Sequence, residues 1–397
     1  MNILFIVQMD DNNKAGLFLA THNRIKYLKK KTGVRVNIIS VKKYDGRLLT
    51  LIKKIFKRTV YKKTKASFLF EGITYNNIYI KDTLTKKLLN ICGKDLFYYK
   101  KVIKSLDIKG IDIISAHWVD LQGSLAFYLK KFRNIPYTLT CHGSDIHTLP
   151  YKSKTYKRLV VRNLNNANNV FFVSEYLKEE AKKLGWNESN LSYISYNTID
   201  SKIFFPLSKE EIKKIKKSEK VEEYIVGFVG NLNYIKRANF LVPIFEKIQE
   251  KFESNITFYI IGEGPCINLI LKQINKSLID IRFVGEVNQQ KLRTYFNIMD
   301  CLILPSKSEG LGNVILEAQA CGTPVVATNT GGISEAIANK ENLVKNNDIT
   351  IKHEISERVT LILNNRKRIK SNYRTWEDIA NDELKIFSEI VSKNTHK

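Results

Sequence analysis

Ser308-Glu309-Gly310-Leu311-Gly312-Asn313-Val314-Ile315-Leu316-Glu317-Ala318, followed by Gly322-Thr323-Pro324-Val325-Val326-Ala327 and Gly331-Gly332, decides the fold of this chain. The apolar run Cys301-Leu302-Ile303-Leu304-Pro305 stands just before it. That run reads as a strand, the glycines as a turn, and residues 313–320 as the helix that follows. Glu309 is therefore expected at the carboxyl end of a strand, the edge at which open α/β sheets bind ligands. The amides of Gly310, Leu311 and Gly312 are expected to point out of a helix N-terminus, where a phosphate is favoured. Glu317 falls about one turn into the helix, within reach of a pair of sugar hydroxyls.

Strand and helix patterns alternate along the whole chain. Apolar runs at residues 3–7, 34–41, 111–116, 137–141 and 169–173 are interleaved with helical spacing at 17–31, 123–132, 156–166 and 175–184. A second set of strands, at 224–229, 256–261, 281–284, 301–304 and 324–328, alternates with helices at 239–252, 265–276, 289–298 and 313–320. Such alternation predicts parallel sheets covered by helices on both faces. With 397 residues, two domains are expected. The reading divides them at residues 1–205 and 206–375, with an amphipathic helix at 376–397.

Two Glu residues eight positions apart are common by chance, and alone they read equally well as a cap and a solvated helix position. The set to which they belong is more specific. Gly227-Phe228-Val229-Gly230-Asn231-Leu232-Asn233-Tyr234-Ile235-Lys236, Ile260-Ile261-Gly262-Glu263-Gly264-Pro265 and Phe283-Val284-Gly285 precede them in order. Further upstream stand His142-Gly143-Ser144-Asp145 and Asn197-Thr198-Ile199-Asp200. Together these segments resemble the retaining glycosyltransferases of the GT-B fold, in particular glycosyltransferase family four. The resemblance implies two doubly wound Rossmann-like domains facing across a cleft, with the last helix crossing back to the first domain.

It also implies a site. His142, Glu309 and Lys236 take the catalytic positions. Gly16, Asn231, Lys236, Val284, Gly310, Leu311, Gly312, Asn313 and Glu317 take the donor-binding ones. In the family the first Glu approaches hydroxyls of the transferred sugar and the second binds the nucleotide ribose. A cation at Lys236 would neutralise the departing diphosphate. His142-Gly143-Ser144-Asp145 resembles an element that faces the donor sugar, and His117-Trp118 is placed on the acceptor side. Three positions depart from the family pattern. Asn231 stands where an Arg is usual, Thr198 where a Gly is usual, and Ala15-Gly16 where a Gly-Gly pair is usual.

The implied activity is metal-independent hexose transfer, with no cofactor, from a UDP- or GDP-sugar to a glycan or lipid-linked acceptor of a bacterial capsule or lipopolysaccharide. Two other classes stay open: a catalytically impaired, sugar-nucleotide-binding partner subunit, and a sugar-nucleotide epimerase of the same fold. Donor hydrolysis or transfer separates the first, and conversion of the donor sugar without acceptor indicates the second.

Composition bounds the partners. The chain carries a net charge of +26. Residues 1–200 hold 36 basic and 15 acidic side chains, whereas residues 201–397 hold 29 and 24. The amino-terminal half is thus the surface expected to meet something anionic. From Arg47 to Lys65 there are eight Lys or Arg and no acid, with Leu48, Leu51, Ile52, Ile55, Phe56 and Tyr61 between them. The stretch reads either as a solvated helix or as one lying on an anionic bilayer through Lys53, Lys54, Lys57 and Arg58. A nucleic-acid partner is not expected, because no helix-turn-helix, RNA-binding or zinc module is visible. Five scattered cysteines without a Cys-x-x-Cys pair fit a reducing cytoplasm and neither a disulfide framework nor a zinc site. The expected location is therefore the inner face of the cytoplasmic membrane, peripherally attached.

Overall fold

The computed structural model describes residues 1–11, 16–188, 191–370 and 373–395. They form two compact units, the first from 1–196 with 376–397 and the second from 197–375. The join falls earlier than the sequence reading put it. Residues 197–205 pack into the second unit: Asn197 Nδ2 donates to Asn313 Oδ1 at 3.1 Å, Asn297 Nδ2 donates to the Phe205 carbonyl, and the Phe204 ring lies tilted against Phe296.

The first unit is built on eight strands, β1 (Asn2–Val7), β2 (Arg35–Asp45), β3 (Ser67–Phe70), β4 (Ile73–Asp82), β5 (Ile113–His117), β6 (Tyr137–Cys141), β7 (Asn169–Phe172) and β8 (Ser192–Ile194). They lie in the order β3-β4-β2-β1-β5-β6-β7-β8. All neighbours are parallel except β3 and β4, a hairpin at the edge. Its two turn residues, Glu71 and Gly72, both have positive φ, as the tightest hairpins require. The sequence reading left residues 66–110 unassigned, and this hairpin and the helices Leu84–Ile91 and Leu96–Ser105 fill that gap.

The central strands β1, β5 and β6 are almost wholly buried and mostly apolar because helices cover both faces. Ile3, Phe5 and Val7 of β1 pack with Phe18, Ile25 and Leu28 of the helix Leu17–Lys29, and with Ala380, Phe387 and Ile390 of the last helix, Trp376–Thr395. The buried Arg24 guanidinium locks the same layers. It donates to the Ser195 carbonyl and hydroxyl at 2.7 Å and is ion-paired with the buried Glu383. Burial outweighs that partner and raises the Glu383 pKa.

The second unit has six parallel strands, β9 (Tyr224–Val229), β10 (Ile256–Ile261), β11 (Ile281–Gly285), β12 (Cys301–Leu304), β13 (Val325–Thr328) and β14 (Leu343–Val344). Their order is β11-β10-β9-β12-β13-β14, the dinucleotide-fold order. The direction of winding reverses between β9 and β12. The loops after these two strands flank the point where such sheets bind ligands. In the first unit the reversal falls between β1 and β5.

Candidate active site

Both loops at the second unit's switch point carry charge toward one spot. The chain leaves β12 through Pro305 and the buried Ser306 and reaches Glu309. Ser306 Oγ donates to Glu309 Oε1 at 2.8 Å, and Lys236 Nζ, arriving from the loop after β9, pairs with the same oxygen. The Lys236 turn is held by its backbone N–H, which donates to Asn233 Oδ1 at 3.0 Å. The next residue faces away: Arg237 is buried, donates to the Pro305 carbonyl and Asn346 Oδ1, and pairs with Asp348. One of two adjacent cations thus fixes the loops and the other stands at the site.

The glycines are explained by backbone contact. A Cβ on Gly331, whose φ is +58°, would lie 1.9 Å from the Glu309 carbonyl oxygen, and one on Gly332 would lie 2.2 Å from that of Gly310. The Gly331-Gly332 loop therefore packs directly on the Glu309-Gly310 backbone, and the Gly332 N–H donates to the Glu309 carbonyl. After β10, Gly262 is required for the same reason, because its Cβ would meet the Gly230 carbonyl at 2.1 Å.

The helix Asn313–Ala320 begins at Gly312, which is left-handed, and no side chain caps it. Among the described residues the N–H groups of Leu311, Gly312 and Asn313 have no acceptor. Glu317 lies one turn further in, and its carboxyl likewise has no hydrogen-bond or ion-pair partner among the described residues. Burial alone pushes its pKa up to about 8. Three unclaimed donors and a carboxyl without a partner, next to a Lys–Glu pair, form a site suited to an anionic group and a hydroxyl-bearing ring.

The first unit holds the second motif. His142 follows β6, and its N–H and that of Gly143 donate to the buried Asp145 carboxyl. Burial outweighs those bonds and lifts Asp145 to about 7. His142 Nε2 meets His117 Nδ1, at the end of β5, at 3.0 Å. Burial pushes the His117 pKa down to about 3 and holds His142 well below its usual value, so both rings are neutral. Trp118, the next residue, sits at φ 80°, uncommon for a bulky side chain.

The structure brings Lys236, Glu309, Gly310, Leu311, Gly312, Asn313 and Glu317 together in one unit. Asn231 is exposed and accepts from Asn233 Nδ2, bringing no charge to the spot. Val284 lies on β11, an edge strand separated from β9 by β10. Gly16 starts the helix Leu17–Lys29 of the first unit with φ 49°, while Ala15 lies outside the described residues. Of the four cations assigned to a membrane, Lys53 is spoken for. It pairs with both oxygens of Asp45 at 2.8 and 2.9 Å and stacks on Tyr61. The helix there is also shorter than the stretch predicts, ending at Ile55. Sequence reasoning missed Ser306 and the Asn197–Asn313 bond. Both lie beside motif residues that it had singled out, which is the signal that could have found them.

Comparison with known proteins identifies the family. Residues 209–376 match the model of glycosyl transferases group 1, and residues 55–202 match that of Glycosyltransferase Family 4. The chain belongs to the family four glycosyltransferases of GT-B fold. This glycosyltransferase is 26% identical to an uncharacterized glycosyltransferase of Methanocaldococcus jannaschii, over 81% of its own length and 88% of the relative's. It is 30% identical to a putative teichuronic acid biosynthesis glycosyltransferase of Bacillus subtilis, over 62% of its length and 59% of that protein's. Among solved structures, Anabaena HepE in complex with UDP and glucose superposes with a TM-score of 0.68 over the whole of both chains, at 19% identity.

Proposed function

We propose that this glycosyltransferase moves a hexose from a nucleotide diphosphate sugar, with retention at the anomeric carbon and without a metal ion or other cofactor. The observation that carries the reading is the unpartnered Glu317 carboxyl one turn behind the free amides of Leu311, Gly312 and Asn313, beside the Lys236–Glu309 pair. The amides and Lys236 are suited to the diphosphate, whose charge grows as the sugar leaves. Glu309, released from Lys236 as the cation turns to phosphate, accepts from a hydroxyl of the sugar, and Glu317 accepts from the ribose. Neutral His142 supplies no charge, and with Nε2 bonded to His117 and Nδ1 buried its ring reaches a sugar hydroxyl only if the histidine pair opens. Support for a UDP-sugar comes from the fold neighbour with UDP and glucose, and support for a surface-glycan or lipid-linked acceptor from the name of the Bacillus subtilis relative.

A calorimetric screen of UDP, GDP and ADP sugars, followed by NMR of the product's anomeric proton, tests this. Retained configuration and turnover unchanged by EDTA are expected. Inversion, or loss with EDTA restored by manganese, overturns the respective part. The uncharged Asn231 favours a second reading, an impaired sugar-nucleotide-binding subunit. Tight donor binding with neither hydrolysis nor transfer would establish that reading instead.

A further inference from the structure

Exposed large apolar side chains are not spread evenly over this protein. Among the described residues, ten of the twenty-two lie between Leu48 and Phe97. Two short helices carry most of them. The helix Arg47–Ile55 and the Phe56 that ends it expose Leu48, Leu51, Ile55 and Phe56 by 57–68%, and bury only Leu49. The helix Leu84–Ile91 exposes Leu88 and Ile91 by 63% and 60% and fully buries no residue.

The sheet starts these helices side by side. They begin right after β2 and β4, neighbouring parallel strands whose last residues, Asp45 and Asp82, are register partners. The Gly46 N–H, opening the first helix, donates to the Asp82 carbonyl at 2.8 Å, just before Thr83 caps the second.

Charge around the pair has one sign. No acid occurs from Gly46 to Phe70 or from Thr83 to Lys94. The two acids at the strand ends are already matched. Asp45 is held by Lys53, and Asp82 accepts from the Tyr98 hydroxyl and faces Lys87 at 3.7 Å. Lys54, Lys57, Arg58 and Lys62 are exposed and have no ion-pair partner among the described residues. Among those residues no helix is long and apolar enough to cross a membrane. A second copy of a chain with net charge +26 would set like charges face to face. Leu, Ile and Phe flanked by long cations on short helices fit a boundary between water and hydrocarbon.

We propose that the paired helices Arg47–Ile55 and Leu84–Ile91 form one docking surface for an anionic lipid bilayer, with Lys53 acting inward as its staple to β2. This deepens the acceptor part of the reading above. Flotation needs no donor, however, so its failure would leave the sugar-nucleotide site untouched.

The test is flotation of the full chain with vesicles of phosphatidylcholine, with or without phosphatidylglycerol, at low salt. Binding is expected only with phosphatidylglycerol. Each cation near an anionic leaflet strengthens binding about fivefold, so Lys54→Gln/Lys57→Gln/Arg58→Gln should weaken it about a hundredfold. Leu88→Ser/Ile91→Ser should weaken it about tenfold while keeping every charge. Lys213→Gln/Lys214→Gln, exposed in the second unit, should change nothing. Unchanged denaturation midpoints confirm that the variants fold. Failure of the wild type to float, wild-type binding by the Leu88/Ile91 variant, or equal loss in the Lys213/Lys214 control each overturns the proposal. So does self-association without vesicles that the Leu88/Ile91 substitutions abolish.

Discussion

His117 Nδ1 and His142 Nε2 share one proton across a 3.0 Å hydrogen bond, their rings stacked at 28° on the ends of neighbouring strands. The other two nitrogens, His117 Nε2 and His142 Nδ1, are buried and have no hydrogen-bond partner among the described residues. A proton added to this pair would charge a group that nothing nearby compensates.

That predicts opposing pH effects in the first unit. A histidine held neutral stabilises the fold above its unfolded pKa of 6.5, and this contribution is lost as pH falls. For His117, with a folded pKa of about 3, the loss from pH 7 to 5 is about 2 kcal/mol. Asp145, lifted from 3.8 to about 7, has the reverse sign, stabilising below 3.8 and losing that contribution as pH rises through 7. Asp145→Asn removes the opposing effect and keeps an oxygen for the two N–H donors. Urea unfolding at pH 7 and pH 5 should therefore show acid sensitivity in the variant well beyond that of the wild type. Equal slopes would refute the raised Asp145, and a variant as stable at pH 5 as at pH 7 would refute the neutral pair.

Lys236→Ala should lower turnover about a hundredfold or more, as expected for loss of a preorganised charge stabiliser. Glu309→Gln should lower kcat while largely sparing nucleotide affinity. Because the two side chains pair, the double variant should cost less than the sum of the single ones. Additive losses would place them in separate roles.

Donor binding should release protons. With its pKa raised from 4.5 to about 8, Glu317 is mostly neutral at pH 7; it stabilises the fold below 4.5 and loses that contribution as pH rises through 8. Ribose hydroxyls donating to it would favour the carboxylate. Titrating UDP in buffers of different ionisation enthalpy should show release at pH 7, absent in Glu317→Gln. Glu317→Ala should weaken binding by about 1–3 kcal/mol. Equal apparent enthalpies in all buffers would count against this role.

Gly331→Ala should abolish donor binding and destabilise the second unit by about 3 kcal/mol or more, since its Cβ meets the Glu309 backbone at left-handed φ. Gly33 also has positive φ but opens onto free space. Gly33→Ala should cost only about 1 kcal/mol. Similar melting shifts for the two would show that conformation, and not contact, sets the requirement at Gly331.

Most of the second unit was legible in sequence because five of its strands end at a motif glycine or turn, whereas the two-residue β14 and the helix Ile351–Asn365 carry no such signal and were not assigned. The run from Cys301 to Leu304 and the helix Asn313–Ala320 were placed within a residue. The edge of the first sheet was not. Half-exposed β4 alternates weakly, and its burial depends on a hairpin partner that residue spacing does not reveal. Lys53 was misjudged for a related reason: a cation run looks uniform until the fold brings Asp45 beneath one member.

Arg24 and Glu383 meet only after the second unit has been inserted between them in the chain. During synthesis the first helix must therefore wait, its guanidinium unmatched by carboxylate, until Glu383 has been made. The second unit, continuous in sequence, is complete well before then. The later-made half can thus close before the earlier one, and any premature stop before Trp376 leaves Arg24 with Ser195 but no carboxylate, beside an uncovered apolar face.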